Sequence, residues 1–267
     1  MLGRLIKYDM KSISRLALPL TAIIFVTAVL GAVALKVTVI APDNASGFPI
    51  AICITCVVAA FIAIFAYMVV VWILLLHRFY TNLFTDEGYL TFTLPVKPST
   101  LITSKLITAT VWTVISVMSA ALCAGIILFF GSGKEIINSE WLSYISEFIG
   151  YLGANITAVH VIVAVINGLV STIFSFLLIY LSITLAAVLT RKNKILVAIG
   201  VYYGINMIVS IFSTLAELIP TTLLMQGSDT AEYMLTSNII TIIIYLIFSI
   251  GAFILCNQLM KRKLNLD

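Results

Sequence analysis

Charge is scarce in this chain. Aspartate, glutamate, lysine and arginine make up 10% of the sequence against 62% apolar residues, where a soluble domain carries about a quarter charged and about half apolar. No polar stretch is long enough for a soluble domain. Residues 1–267 therefore read as one membrane domain, and any soluble partner is a separate chain. No carboxylate, lysine or arginine lies near the middle of an apolar run. Proton-coupled pumps normally need such a buried relay, so proton coupling is not expected, while Na⁺ sites built from backbone carbonyls stay open. The only histidines are His77 and His160, and there is no H-E-x-x-H and no pair of aspartates within the runs. Neither an intramembrane protease nor a metal site is expected. Of four cysteines, Cys53 and Cys56 have C-x-x-C spacing inside an apolar run, where cysteine packs as a small hydrophobe, and Cys123 and Cys256 stand alone. Gly131-Ser132-Gly133-Lys134 has the look of a phosphate loop. However, Glu135 follows where Ser or Thr is required, and Leu128 occupies the place of the leading glycine. The expectation is a chain with no catalytic residues, no cofactor of its own and no ATP hydrolysis by itself.

What is present is six long apolar runs, at about 16–35, 50–76, 104–130, 159–189, 195–219 and 238–259. Each is long enough to cross a hydrocarbon core of about 30 Å as a helix. The basic residues orient them. Arg4, Lys7, Lys11 and Arg15 precede the first run. Arg78, Lys97 and Lys105 lie between the second and third, Arg191, Lys192 and Lys194 between the fourth and fifth, and Lys261, Arg262 and Lys263 after the sixth. Only Lys36 and Lys134 fall on the other side. The excess marks the cytoplasmic side. This predicts an all-α, multi-pass protein of the cell membrane with six spans and both termini cytoplasmic. The net charge of +4 then reflects topology and gives no sign of nucleic-acid binding. Ala32-Val33-Ala34 mimics a signal-peptide cleavage site, but the apolar run is too long for one, so the segment is expected to be retained. Asn44-Ala45-Ser46 and Asn155-Ile156-Thr157 fit glycosylation acceptors on the outer side.

Between the runs, residues 1–15 read as an amphipathic interfacial helix. At about 100° per residue, Leu2, Leu5, Ile6, Met10 and Ile13 share one face, and Arg4, Lys7, Lys11 and Arg15 the opposite one. Asp9 interrupts the apolar face, as an acid reaching the headgroup boundary or as one paired with a neighbouring loop. The outer segment 131–158 offers Asn138 or Ser139 as cap of a short helix carrying Trp141, Leu142, Ile145, Phe148, Ile149 and Leu152, either a cover for span ends or a helix dipping in to gate an exit. The cytoplasmic segment 77–105 is longer than a turn needs. It interleaves Phe79, Tyr80, Leu83, Phe84, Tyr89 and Phe92 with Asp86 and Glu87. The second span is expected to stay helical to about Phe84, Gly88 to permit a sharp turn, Pro95 and Pro98 to hold the return extended, and Ser99 or Thr100 to cap the third span. So much aromatic surface needs something to pack against, either its own bundle or a cytosolic partner.

Within the spans, Gly200 and Gly204 give G-x-x-x-G spacing, which suits close helix approach inside one subunit or at a dimer seam. Asn167 and Asn206 either face a cavity or hydrogen-bond across helices. Glu217 sits about one turn before Pro220 near the outer end of the fifth span. A channel, a non-transporting membrane scaffold or assembly factor, and a subunit driven by a separate motor all fit these features.

Leu5-Ile6-Lys7-Tyr8-Asp9-Met10-Lys11 resembles the start of permease subunits of bacterial ABC exporters of the type 2 class. Asp86-Glu87-Gly88-Tyr89-Leu90-Thr91-Phe92-Thr93-Leu94-Pro95-Val96, followed by Ser104-Lys105-Leu106, resembles their first cytoplasmic loop. The resemblance implies a half-transporter that pairs with a second copy or a homologous permease, in contact with membrane lipids. It implies a cytosolic ABC ATPase on each half, holding the ATP and Mg. It makes the loop after the second span a coupling helix, with Phe84, Asp86, Glu87, Gly88 and Tyr89 as the ATPase contact. The second and fifth spans would line a path at the seam, and the cargo would be a peptide, drug-like or lipid-like molecule. The long outer loop here follows the third span, whereas the better-known eukaryotic relatives carry theirs between the fifth and sixth.

Overall fold

A computed structural model describes residues 2–40, 47–84, 97–137, 147, 150, 157–190, 193–224 and 230–262. Nearly all of them are helical. The helices are α1 (Leu2–Ile40), α2 (Gly47–Phe84), α3 (Pro98–Ile137), α4 (Ala158–Leu189), α5 (Lys194–Leu224) and α6 (Thr230–Arg262). All six are long and apolar enough to cross a membrane, which makes this an all-helical, multi-pass membrane protein. At 31 to 40 residues, each exceeds the roughly 20 needed for the hydrocarbon core. Serine and threonine hydroxyls inside the spans fold back onto their own helices. Thr108 donates to the Ser104 carbonyl at 2.8 Å, Ser182 to that of Leu178 at 2.8 Å, and Thr184 to that of Tyr180 at 2.7 Å. A buried hydroxyl satisfied this way avoids the desolvation cost of an orphan in lipid.

Several sequence expectations change in detail. Residues 2–15 and the first span form one uninterrupted helix that contains Pro19. Its basic face is exposed, whereas Leu2, Leu5, Ile6 and Met10 are half-buried and Ile13 is buried. Asp9 is not an acid reaching for headgroups: only 8% of it is exposed, on the stripe that continues through Ile13, Ala17, Ile24 and Ala28. The second span is helical to Phe84, as expected. Pro98 does not hold an extended return but opens α3, with Thr100 N–H donating to the Lys97 carbonyl at 2.9 Å. Neither Ser99 nor Thr100 is the cap, because proline's fixed φ and missing N–H suit the first helical position. Gly131-Ser132-Gly133-Lys134 is helical, within the last turns of α3. The expected outer helix near 141–152 lies largely outside the described residues.

The helices divide into two compact units. One holds residues 7–77 and 111–151, and so most of α1, α2 and α3. Here Gly31 lies against Ala60 of α2 and Ile127 of α3, and Gly131 lies against Leu35 of α1. The other holds residues 1–6, 78–110 and 152–267. In it α4 packs most extensively on α6 and less on α5. Phe174, Leu178 and Val209 form its apolar centre, flanked by Tyr202, Ile205, Tyr245 and Phe248.

Candidate functional site

The expected ATPase contact is described only through its flanks. Asp86, Glu87, Gly88 and Tyr89 lie outside the described residues, as does the Phe84 side chain. The helix ends on either side of them are firmly seated in the unit of α4–α6. Phe79 and Leu83 at the end of α2, and Leu101, Ile102, Ser104 and Thr108 at the start of α3, are all buried. Phe79 stacks on Tyr180 of α4 with ring centroids 3.6 Å apart and planes 7° apart, and Phe176 tilts against the same tyrosine at 6.1 Å. A stacked aromatic pair contributes about 1 kcal/mol beyond its buried area. Around it α4 is buried on every side from Phe176 to Ser182, so a displacement of the helix ends that bracket residues 85–96 meets the best-packed stretch of α4.

Gly200 and Gly204 have no close helix neighbour among the described residues. A Cβ added at either would meet nothing within 4 Å. Both lie on α5, whose most apolar stretch is only 6% buried against 17–28% in the other five helices. Tyr203, Met207, Ile211 and Leu215 extend the bare surface. The glycines that do permit close approach are Gly31 and Gly131. A Cβ on Gly31 would sit 2.8 Å from the Ala60 Cβ, and one on Gly131 2.8 Å from the Leu35 Cβ. Sequence spacing missed both, because their partners lie on other helices.

Asn167 hydrogen-bonds across helices, its Nδ2 donating to Asn238 Oδ1 of α6. Asn238 Nδ2 in turn donates to the Met234 carbonyl at 2.8 Å. Asn167 Oδ1 is buried without a hydrogen-bond partner among the described residues. Asn206 and Glu217 are half-buried on α5, and no hydrogen bond joins either to this pair. Further along the α4–α6 seam, Thr184 Oγ1 and Cys256 Sγ lie 3.4 Å apart, both fully buried. At the start of α4, Thr157 N–H donates to His160 Nδ1 at 3.2 Å, a local cap within the Asn155-Ile156-Thr157 motif.

One feature had no signal in the sequence beyond its lysine. At the basic end of the α4–α6 unit lies an open cavity of about 700 Å³, lined by Tyr80 of α2 and by Asn193, Lys194, Ile195, Leu196 and Ile199 at the start of α5. Asn193 turns the chain into α5 at φ 59°, a left-handed conformation that asparagine tolerates better than most residues. Comparisons with known protein families, curated proteins and solved structures return no match.

Proposed function

We propose that this chain is the membrane half of an ATP-driven exporter of the ABC type 2 class, energised by separate cytosolic ATPase chains. The observation that carries the reading is the run Asp86–Val96 with Ser104-Lys105-Leu106, set between two long helices at the basic end of the molecule. The seating of those helix ends on α4 supports it, since a coupling segment must push against something stiff. The bare face of α5 supports pairing with a second permease. On this reading both termini and the loop are cytoplasmic, and an amphipathic or hydrophobic cargo crosses the cell membrane at the seam. An impermeant thiol reagent applied to intact cells should label cysteines placed at Ser143 and Ser228 and spare one placed at Lys192. Labelling at Lys192 would reverse the orientation.

Coupling is tested on the reconstituted complex by substrate-stimulated ATP hydrolysis and by retention of the ATPase. Asp86→Lys with Glu87→Lys should insert normally and weaken docking by about 1 kcal/mol per charge, as rim charges do. Phe84→Ala or Tyr89→Ala should cost more, at least about 2 kcal/mol, since buried aromatic anchors dominate such interfaces. Wild-type stimulation and ATPase retention in all three variants would remove the loop from the mechanism. A chain that co-purifies with no ATPase is instead a scaffold or assembly factor.

A further inference from the structure

We infer that the cavity at the start of α5 holds an anionic phospholipid from the leaflet at the basic end of the protein. Three observations converge on one chemistry. The cavity is large enough for a headgroup, at about 700 Å³, and it is open. Its charged wall is Lys194, which has no ion-pair partner among the described residues, and the sequence adds Arg191 and Lys192 just before it. Between Glu147 and Glu217 the sequence contains no carboxylate at all, so nothing on α4, or on α5 before Glu217, neutralises that charge. Beside Tyr80 and Asn193, the rest of the wall is apolar and turned outward: Ile195, Leu196 and Ile199 are 64%, 72% and 52% exposed.

A ligand that fits must be anionic at one end and continuous with hydrocarbon at the other. A free phosphate would leave the isoleucine and leucine wall unused, and an acidic peptide would have to cover residues that sit on a membrane-crossing helix. A phospholipid meets both demands. Its phosphate takes the Lys194 ammonium beside the first turn of α5, where the helix dipole also favours negative charge. Its acyl chains lie along Leu196 and Ile199. The site depends only on membrane embedding and is independent of whether the protein transports anything.

The test uses the full chain in phosphatidylcholine vesicles with a reporter indole in the cavity wall, Leu196→Trp, read as emission above that of the parent with its own Trp72, Trp112 and Trp141. Dibrominated phosphatidylglycerol should quench the added indole with roughly fivefold preference over dibrominated phosphatidylcholine, the preference expected of one basic residue near an anionic lipid. Lys194→Gln should reduce that ratio towards one, Lys194→Arg should keep it, and Lys261→Gln at the end of α6 should leave it unchanged. Ile199→Trp repeats the measurement if the first reporter fails to insert. Equal quenching by the two lipids, indifference to Lys194→Gln, or protection from both lipids overturns the proposal. Loss of the preference on adding inorganic phosphate alone also overturns it, and makes the cavity a site for free anions.

Discussion

Two pairs of glycines in this protein face opposite surroundings. Gly31 and Gly131 lie in the α1–α3 unit, where an added Cβ would come within 2.8 Å of a neighbouring Cβ. Gly200 and Gly204 lie on α5, where an added Cβ would meet nothing within 4 Å. Small residues let membrane helices approach until backbone and side chain touch, but only where another helix is present. In the first pair the approach is made within the chain. In the second the surface for it is present and the partner is not, on the helix with the smallest buried share of the six. The difference separates glycines that hold one subunit together from glycines available to whatever lies beside it.

The largest expected effect is at the closed pair. Gly31→Leu sets a side chain against Ala60, whose Cβ is fixed to the α2 backbone and cannot swing away, with Ile127 3.5 Å off. Overpacking of a well-packed site costs about 1–3 kcal/mol, and relief here requires moving a helix, so the upper end is expected. Gly131→Leu meets Leu35 and the Ala32 carbonyl. Only the Leu35 Cδ2 can swing aside; the Leu35 Cβ at 2.8 Å and the Ala32 carbonyl at 3.0 Å are fixed to the α1 backbone, so a loss of similar size is expected. Thermal unfolding in detergent, followed by the emission of Trp72 and Trp112, measures both. Wild-type melting of Gly31→Leu would show that α1 and α2 do not approach as closely as the structure has them.

At the open pair the same substitution should leave the subunit alone. At Gly200 and Gly204 an added Cβ meets no atom of the described residues within 4 Å, so for Gly200→Leu with Gly204→Leu melting should change by no more than about 0.5 kcal/mol, the usual range at sites without such contacts. If a second permease lies against α5, the cross-linked dimer yield should fall while the monomer stays folded. A normal dimer with normal melting would assign this face to lipid. A destabilised monomer would break the comparison, because it requires an internal contact that Gly200 and Gly204 do not have among the described residues.

The sequence made the spans legible and left most of the packing hidden, for a physical reason. Hydropathy records which residues must avoid water, so all six crossings stand out. It does not record where the helical hydrogen bonding stops, and α6 begins at Thr230 and α3 runs to Ile137, each well beyond its apolar run. Local patterns carried local facts: the basic face of Arg4, Lys7, Lys11 and Arg15 is exposed, as the helical periodicity requires. They failed where a partner is distant. Nothing near Gly31 marks Ala60, and the G-x-x-x-G spacing at Gly200 marks a surface that no described residue approaches. Asp9 lies on the same stripe as Ile13 and Ala17, yet residue type alone left it between the headgroups and a partner in a neighbouring loop. For the proposed ATPase contact the sequence motif remains the carrier, while the stacking of Phe79 on Tyr180 needed the fold to bring residues a hundred positions apart together.

A small effect is likewise expected at the polar pair that joins α4 to α6. Asn167 Nδ2 donates to Asn238 Oδ1, and Asn238 is held in turn by the Met234 carbonyl. In hydrocarbon an interhelical hydrogen bond is worth about 0.6 kcal/mol on average and seldom more than about 1.7, because the separated helices find other partners. A double-mutant cycle of Asn167→Ala and Asn238→Ala should therefore give a coupling near that average. Asn167→Ala alone should cost less than Asn238→Ala, since it also removes the buried, partnerless Oδ1, and losing an unsatisfied acceptor offsets part of the loss of the bond. A leucine at 167 puts the same question differently. If the pair only staples two helices, Asn167→Leu keeps the seam apolar and packed, and melting stays within about 1 kcal/mol of wild type. If Asn167 Oδ1 is instead satisfied by something entering from the α4–α6 seam, activity falls while melting does not. A coupling energy of zero between the two positions would mean that the asparagines do not hold each other in the membrane, and the seam would then rest on Phe174, Tyr245 and their apolar neighbours, with the Thr184–Cys256 contact further along.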